Sequence, residues 1–292
     1  MTQTPSFVLP VDKPVGPTSH DVVAAARRAL KVRRIGHTGT LDPFASGLLL
    51  LCVGQATRIA EYLTDLPKTY RATLRLDGRT LTDDNTSEVL DPSERWRALT
   101  PDRVLQALQA QVGALLQLPP QYSAKKIAGE RAYDIARRGD VATLTPVAVH
   151  VYAITMRSID LPNAEFDVTC SSGTYIRAIA RDVGAALGTG GYLTALRRIS
   201  IGTHGVADAV PLDELGDAAR VAAAALTPQR ALAHMPAVDL TDEQTRAIRF
   251  GRPVEDSGQR EGLVQLLHAG TLIAIAEPEG GRLHPHKVFG DV

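Results

Sequence analysis

Polar and apolar residues alternate from residue 68 to residue 76 of the chain. Apolar side chains occupy the even positions from Tyr70 to Leu76, and polar side chains occupy the odd positions from Thr69 to Arg75. Successive side chains of a strand point to opposite faces, so this pattern predicts a strand with one buried face. The apolar run at residues 48–51 has the length of a fully buried strand.

Three helices are predicted before residue 190. Residues 19–30 repeat apolar side chains every three or four positions, beginning near Ser19. The Thr-Pro pair at residues 100–101 is typical of a helix start. A third helix is expected to follow the turn at residues 171–174 and to end at Gly188, since glycine is favoured just past a helix C-terminus.

The character of the sequence changes near residue 236. A capping box at residues 241–244 predicts a short helix. Apolar runs at residues 263–267 and 271–276, separated by a short turn, predict two paired strands. We therefore expect residues 236–292 to form a small, mostly β domain.

The remaining residues, 1–233, predict one larger domain. Further strands are expected at residues 147–156 and 165–170. Residues 117–146 contain a Pro-Pro pair and several basic side chains, which indicates an insertion, and the polar, acidic stretch 79–98 is expected to be a surface loop. Helices and strands do not alternate regularly, so the predicted class is α+β, with a mixed or antiparallel sheet.

Charge and cysteine content exclude few classes of protein. The chain has 32 Lys and Arg residues and 32 Asp and Glu residues, so net charge gives no sign of a nucleic-acid partner, although the basic residues are clustered. Cys52 and Cys170 lack the spacing of a zinc site or a redox pair, and we expect them to be reduced. No signal peptide or membrane span is apparent, and we expect a cytoplasmic protein.

One isolated carboxylate is the main candidate for chemistry. Asp42 lies in a turn-rich loop that leads directly into the apolar run at residues 48–51, and no other acidic residue lies between Asp21 and Glu61. The following Pro43 disfavours helical backbone at Asp42. A local metal cage needs several oxygen ligands, so the sequence indicates a single positioned carboxylate rather than a metal centre.

Other motifs carry less information. The glycines of residues 36–40 lack the Gly-Lys-Ser/Thr ending of a nucleoside triphosphate loop. His284 and His286 have no cysteine or acidic neighbours that would suggest a metal site. Tyr175 and Arg177 lie at a predicted strand-to-helix turn, where they can reach the same end of the sheet as a loop aspartate.

Several ordered motifs resemble one protein family. They are Asp12-Lys13-Pro14, Gly36-His37-Thr38-Gly39-Thr40-Leu41-Asp42-Pro43, Lys68-x-Tyr70, Pro119-Pro120-x-Tyr122, Cys170-Ser171-x-Gly173-Thr174-Tyr175-Ile176-Arg177 and Leu196-Arg197-Arg198. In this order they resemble the signatures of the TruB family, the tRNA pseudouridine-55 synthases. The resemblance spans residues 10–205 and, less specifically, the C-terminal domain, which looks like a PUA domain.

The resemblance implies a catalytic domain with the pseudouridine synthase fold and a reaction that needs no cofactor or metal. In that reaction a uridine in the T-loop of tRNA leaves its ribose through N1 and returns through C5. The matching position makes Asp42 the catalytic carboxylate, either as a nucleophile at C1′ or as a base on the ribose. Arg177 is implied to grip and orient Asp42, and Tyr70 to stack on the target base and to accept the C5 proton.

The family positions also imply substrate contacts. His37, on a loop, would fill the gap left by the flipped base, while Tyr175 and Leu196 would wall the pocket. Further substrate-binding residues are expected among the basic side chains: Lys13, Lys125, Lys126 and Arg131. The last three belong to the segment 117–146, which is expected to clamp the RNA backbone, while the C-terminal domain would grip the acceptor-stem side.

The sequence departs from the family pattern at Ser172, at Gly191 and in the loop 79–91, and we expect none of these departures to touch the chemistry. The RNA-modifying isomerase is expected to be a monomer that does not bind a membrane. Two other functions stay open beside it. One is an RNA-binding or RNA-folding protein without catalysis, and the other is a nucleoside or glycoside hydrolase. The hydrolase is disfavoured because a second carboxylate is missing near Asp42.

Overall fold

The computed structural model describes residues 6–122, 126–127, 130–131, 138, 143–258 and 260–290, and for residues 126–127 and 130–131 it describes the backbone. Its strands are β1 (Phe7–Lys13), β2 (Ile35–His37), β3 (Ser46–Val53), β4 (Lys68–Arg75), β5 (Arg79–Thr80), β6 (Val89–Leu90), β7 (Gly113–Gln117), β8 (Lys126–Ile127), β9 (Glu130–Arg131), β10 (Val147–Asp160), β11 (Asn163–Cys170), β12 (Tyr192–Ile201), β13 (His204–Gly205), β14 (Val210–Pro211), β15 (Ala237–Asp239), β16 (Val254–Glu255), β17 (Val264–His268), β18 (Thr271–Glu279) and β19 (Arg282–Val288).

The α-helices are α1 (Ser19–Leu30), α2 (Ala60–Thr64), α3 (Pro101–Gln109), α4 (Ile176–Leu187), α5 (Ala218–Ala224), α6 (Pro228–Ala231) and α7 (Asp242–Arg249). Short 3₁₀ segments occur at Gly54–Ile59, Arg95–Ala98, Val206–Asp208 and Leu212–Glu214. The helices α1, α3, α4 and α7 were predicted from the sequence, and these predictions are confirmed.

Local capping explains where α1 begins. Thr18 accepts a hydrogen bond from the backbone N–H of Asp21, and the Asp21 side chain accepts one from the Thr18 backbone, which completes a capping box. The first helical residue, Ser19, is fully buried and forms hydrogen bonds to Leu41 with both its donor and its acceptor function. The start of α1 is thereby joined to the loop that carries Asp42.

The large sheet is mixed, as predicted. Its strand order is β14-β1-β3-β12-β4-β11-β10-β7, with β2 beside β3 and β13 beside β12. Strand β3 pairs antiparallel with β1 and parallel with β12, while the pairs from β12 to β7 are antiparallel. Strand β3 is buried from Gly47 to Val53, which explains its uninterrupted apolar sequence.

Strand β4 has one buried and one partly exposed face, as its alternation predicted. Its even positions are buried in the core around Phe166 and Val168, whereas the odd positions are only partly buried. One face of β4 therefore contributes Tyr70 and Lys68 to the protein interior, close to the loop that carries Asp42.

The C-terminal residues form the small, mostly β unit that the sequence predicted. Its sheet has the order β15-β17-β18-β19-β16. Leu272, Ile275 and Phe289 of this unit share one apolar cluster with Val8 and Leu48 of the large sheet. Apolar contact therefore attaches the small sheet directly to the strands that hold the candidate site.

One sequence-based expectation needs correction, and one strand was missed. The stretch 79–98 is not simply a surface loop, since it contains the hairpin β5–β6 and its Asp84 is buried. Strand β12, which lies in the middle of the large sheet, was not predicted. Its apolar residues are interrupted by Arg197 and Arg198, and burial of Arg198 inside the sheet cannot be inferred from alternation alone.

Candidate active site

The loop between β2 and β3 holds Asp42 through backbone contacts on both sides. Leu41 is buried and is fixed by Ser19, while the Ala45 N–H donates to the Asp42 carbonyl at 3.1 Å. The Gly16 N–H donates to the Pro43 carbonyl at 2.8 Å. The Asp42 side chain itself is 36 % exposed, so it is positioned by its surroundings and is still reachable from the cleft.

Arg177, in the first turn of α4, is buried and pairs with Asp42. Its Nη2 lies 2.8 Å from Oδ2 of Asp42, and its side chain is only 4 % exposed. Nη1 lies 3.4 Å from Oδ2 of Asp84 and donates to the Thr82 carbonyl at 2.7 Å, while Nη2 also donates to the Tyr122 carbonyl at 2.9 Å. Arg177 is thus shared between two carboxylates instead of contacting Asp42 alone.

Asp84 is a site residue that sequence reasoning missed. Its side chain is 5 % exposed and accepts hydrogen bonds from the Thr82 and Thr86 side chains in addition to its ion pair with Arg177. The departures in the loop 79–91 were expected not to touch the chemistry, yet this segment supplies a buried counter-ion to Arg177. Nothing in the polar sequence of the loop distinguishes Asp84 from its neighbour Asp83.

Tyr70, Tyr175 and Leu196 line the same cleft as Asp42 and Arg177, with a volume of about 270 Å³. This volume lies just below the range of about 300–1,000 Å³ that is usual for ligand pockets, so the cleft suits one nucleotide rather than a stretch of RNA. Tyr175 precedes α4, and its backbone N–H and C=O are both bound by the buried side chain of Gln117. The ring of Tyr70 is buried in the wall of the cleft.

The Tyr70 end of the cleft contains two more buried cations. Arg198 is 1 % exposed and Lys68 is 5 % exposed, and both line the cleft. Arg198 donates to the carbonyls of Leu48 and Gly39, at 2.7 Å and 3.1 Å. Burial and, less strongly, the charge of Arg198 lower the pKa of Lys68 to about 8.

Lys13 is placed differently from the expected substrate contact. It is fully buried, and its ammonium donates to the carbonyls of Pro14 and Pro17, both at 2.9 Å. Burial lowers the pKa of Lys13 to about 8, while the charge of Asp42 acts in the opposite direction. The ammonium is therefore used inside the protein, where it fixes the chain before α1.

His37 lies at the end of strand β2 and not on a loop. Its ring makes an edge-to-face contact with His20 of α1, at 5.5 Å between centroids. Burial lowers the pKa of His37, and the charges of His20 and Arg198 act in the same direction. The lowered pKa favours a neutral imidazole, which suits a side chain that is expected to stack between bases.

The predicted backbone-clamping lysines and arginine are only partly visible. Lys125 lies outside the described residues. Lys126 and Arg131 lie opposite each other in the hairpin β8–β9, where the structure describes their backbone. Their contacts with RNA stay predictions.

Across the described ranges, no three His, Cys, Asp or Glu side chains are grouped so that they could hold a metal ion. The same part of the chain has no helix of the length and apolar character that a membrane span requires. Cys52 and Cys170 are buried free thiols, and burial raises their pKa values to about 12 and about 11.

Comparison with solved structures identifies the same fold in other proteins. A Cbf5-Nop10-Gar1 complex contains a chain that matches with a TM-score of 0.74 and 26 % identity, covering 97 % of this chain and 85 % of that one. A chain of an H/ACA ribonucleoprotein bound to a substrate RNA containing 2′-deoxyuridine matches with a TM-score of 0.75 and 24 % identity, covering 98 % and 85 %. At this identity the second match shows the fold alone.

Family models cover most of the sequence. Residues 27–176 match the N-terminal domain of TruB family pseudouridylate synthases, residues 177–235 match the tRNA pseudouridylate synthase B C-terminal domain, and residues 236–289 match a TruB C-terminal domain of pseudouridine synthase II. The mixed sheet and its C-terminal unit are thus those of a pseudouridine synthase.

Curated relatives make the assignment narrower. The tRNA pseudouridine synthase B of Thermobifida fusca is 42 % identical, covering 97 % of this chain and 98 % of the relative. The enzyme of the same name from Geobacter sulfurreducens is 40 % identical and covers 93 % of each chain. The chain belongs to the TruB family, which confirms the resemblance seen in its motifs.

Proposed function

We propose that this enzyme converts uridine 55 in the T-loop of tRNA to pseudouridine. The observation that carries the proposal is the contact of 2.8 Å between Asp42 and the buried Arg177, at a cleft that suits one nucleotide. Relatives about 40 % identical over nearly the whole chain bear the name tRNA pseudouridine synthase B, which supports the same substrate.

In the proposed reaction Asp42 acts on the ribose of the flipped nucleotide. It attacks C1′ as a nucleophile, or it removes a ribose proton so that the base leaves by elimination. Either route needs a carboxylate oxygen that is ionised and reachable. The guanidinium of Arg177 pairs with the carboxylate and fixes its direction, since Arg177 is itself held by Asp84 and by the carbonyls of Thr82 and Tyr122.

Tyr70 is proposed to serve the base and not the ribose. Its ring lies on the rigid strand β4 at the cleft wall, where it can stack on a uracil. Its hydroxyl is proposed to accept the proton that C5 loses after the new C1′–C5 bond has formed. Tyr175 and Leu196 would complete the walls of the base pocket.

Access to uridine 55 requires that the base leave its stack, at a cost of a few kcal/mol. His37 is proposed to occupy the vacated position. Strand β2 supports this role, because a rigid backbone holds the imidazole next to the loop that carries Asp42. The catalytic domain that contains these parts is proposed to comprise residues 1–233.

Binding of the remaining tRNA is assigned to two other parts. The segment 117–146, with Lys125, Lys126 and Arg131, is proposed to clamp the T-arm backbone. Residues 236–292 are proposed to act as a PUA-like domain that grips the acceptor-stem side, supported by exposed arginines at the end of α7. We further propose that the enzyme acts as a cytoplasmic monomer without a cofactor.

The proposal is tested with purified protein and an unmodified tRNA transcript. Wild-type protein is expected to form pseudouridine at position 55 only, as read by chemical probing and mass spectrometry of nuclease digests. Asp42→Asn should retain tRNA affinity within about a factor of ten and lose activity by roughly 10⁴-fold or more, because it removes the reacting carboxylate.

Each alternative function predicts a different product. Free uracil and an abasic tRNA would show a hydrolase, and tRNA binding without any product from wild-type protein would show an RNA-binding or RNA-folding protein. A tRNA transcript with cytidine at position 55 is the matched substrate control. Near-normal activity of Asp42→Asn would remove Asp42 from the mechanism.

A further inference from the structure

Arg198 is buried in the middle of the large sheet and has only neutral partners of known geometry. Its Nε and Nη2 donate to the carbonyls of Leu48 and Gly39, while no carboxylate lies within ion-pairing distance in the part of the chain that the structure describes. A guanidinium has five N–H donors, so further donors are available on the side of Nη1. A buried cation without a counter-ion is costly, which calls for a function.

The residue that Arg198 faces is Tyr70. The two are directly paired between β12 and β4, and both line the cleft. Burial raises the pKa of the Tyr70 phenol, whereas the charge of Arg198 acts in the opposite direction. Cys170 on β11 and Asp42 on its loop also face the phenol, and both raise its pKa. Arg198 is therefore the group that opposes the other influences on this oxygen.

Lys68 adds a second positive charge at the same place. It lies two residues before Tyr70 on the same face of β4, and its ammonium donates to the carbonyls of Thr64 and Leu66. A Cβ atom built on Gly39 would lie 3.7 Å from Nη1 of Arg198 and 3.9 Å from Cε of Lys68, so both cations border the same loop residue. Two like charges in one buried site favour any step that brings a negative charge to them.

We infer that Arg198 is a positioning residue that holds the Tyr70 oxygen and stabilises it as a phenolate for proton removal from C5, with Lys68 as a weaker second cation. This inference rests on the proposed isomerase function and adds to it the source of the basicity of Tyr70. It also joins the two halves of the site, because Arg198 binds the Gly39 carbonyl of the loop that carries Asp42.

The proton transfer needs no reagent except solvent water. After the C1′–N1 bond has broken and the C1′–C5 bond has formed, C5 still carries its hydrogen and N1 lacks one. The Tyr70 phenolate takes the C5 proton, and the electron pair of the C–H bond restores the C5=C6 double bond. The phenol then returns its proton to water, N1 takes one from water, and the net change is isomerisation.

The test compares tRNA transcripts with protium or deuterium at C5 of uridine 55 under single-turnover conditions. Arg198→Lys should slow pseudouridine formation on the order of 100-fold, which is within the usual effect of general acid–base assistance. The protium-to-deuterium rate ratio should rise above the wild-type value, because C5 proton removal becomes limiting. Loss of packing alone would not act selectively on that step.

The neighbouring arginine provides a matched control. Arg197 lies on the same strand but pairs with Asp12, at 2.7 Å, and does not line the cleft. Arg197→Lys should change the rate by no more than about threefold, because this partly exposed ion pair lies outside the cleft, and should leave the isotope ratio unchanged.

A second measurement leaves Arg198 in place and changes the acidity of the phenol. Difluorotyrosine at position 70 of the otherwise wild-type chain should shift the acidic limb of the pH–rate profile to lower pH. The same replacement in Arg198→Lys should restore part of the lost rate, on the order of tenfold. Fluorination hardly changes the size of the ring. The pH–rate profile of the fluorinated wild type therefore stays informative even if Arg198→Lys does not fold.

The inference is overturned if Arg198→Lys is as fast as the wild type, or if it is slow with an unchanged isotope ratio and no rescue by difluorotyrosine. An unshifted pH profile of the fluorinated wild type also overturns it. Failure of the proposed function looks different, because wild-type protein would then form no pseudouridine at all.

Discussion

At the Asp42 end of the cleft, the buried guanidinium of Arg177 is paired with two carboxylates. At the Tyr70 end, the equally buried guanidinium of Arg198 donates to the carbonyls of Leu48 and Gly39. The two arginines lie on the walls of one cleft, and both are less than 5 % exposed. They differ in whether their charge is balanced before the substrate arrives.

This difference indicates two kinds of electrostatic work. Arg177 pairs with a carboxylate, Asp42, that is present before the reaction begins, and its second carboxylate Asp84 keeps Arg177 in place. Arg198 and Lys68 hold positive charge in reserve for a negative charge that arises only during the reaction, which is the arrangement that favours a transition state over the bound substrate. Variants that alter one end at a time should therefore show distinct kinetic effects.

The largest effect among these variants is expected for Tyr70→Phe. The substitution removes the oxygen at the end of the cleft with reserve positive charge but keeps the ring that is proposed to stack on the base. We expect kcat to fall by about 10³-fold, a size typical of a lost general base, with little change in KM. Steady-state kinetics on a tRNA transcript would check this. An unchanged kcat would leave stacking as the only role of Tyr70.

Arg177→Lys should have the next largest effect. Lysine keeps the charge but cannot reach both carboxylates and the carbonyls of Thr82 and Tyr122 together, so Asp42 loses its fixed direction. A misplacement of about 1 Å can cost about 100-fold in rate, and we expect a loss in kcat of that order. Arg181→Lys, one turn later on α4, is the control and should be nearly as active as the wild type. Full activity of Arg177→Lys would mean that charge alone is sufficient.

Asp84→Asn tests the second carboxylate at the Asp42 end. The change keeps the shape of the side chain but removes the charge that holds Nη1 of Arg177 at 3.4 Å. We expect a loss of about tenfold in kcat, roughly 1.4 kcal/mol, because Asp42 itself is intact and Arg177 keeps its carbonyl contacts. Stopped-time pseudouridine assays would measure it. An effect as large as that of Arg177→Lys would show that the carbonyls contribute little to the position of Arg177.

The sequence predicted those parts of this arrangement that depend on local pattern or on the family motifs. The alternation in β4 placed Tyr70 on a buried face, and the turn before α4 placed Arg177 near the loop aspartate. The isolation of Asp42 singled it out for chemistry, whereas the motifs supplied the proposed roles of Tyr70 and Arg177, because a lone Tyr or Arg carries no functional signal of its own.

The rest depends on contacts between segments that are distant in sequence. Arg198 meets Tyr70 only because β12 pairs with β4. Asp84 becomes a counter-ion only because the connection between β5 and β6 contacts Arg177 in the first turn of α4. The hydrogen bonds between Ser19 and Leu41 likewise join two segments that are distant in sequence. Charge and alternation describe a residue's own element, so they could not distinguish Asp84 from Asp83 or show that Arg198 is buried.

Asp83→Asn tests the difference between Asp83 and Asp84, and it should have the smallest effect on activity. Asp83 lies next to Asp84 but pairs with Arg181, at 3.3 Å, and burial raises its pKa to about 6 although Arg181 and Arg177 act in the opposite direction. The folded protein therefore takes up a proton at Asp83 near pH 6, whereas the unfolded chain does so only near pH 4. The contribution of Asp83 to the free energy of unfolding must therefore increase by roughly 1 kcal/mol as the pH falls from 7 to 5.

In Asp83→Asn this increase should disappear, and the variant should be more stable than the wild type at pH 7, where the buried charge is costly. Asparagine also tolerates the positive φ of 57° at this position. Urea denaturation at pH 7 and pH 5 gives the free energy of unfolding of each variant. Asp182→Asn is the control, because Asp182 also pairs with Arg181. If Asp83→Asn instead loses stability at pH 7 together with activity, then Asp83 belongs with Asp84 among the carboxylates that hold the arginines, and the charge at the Asp42 end is balanced over a wider network than one buried pair.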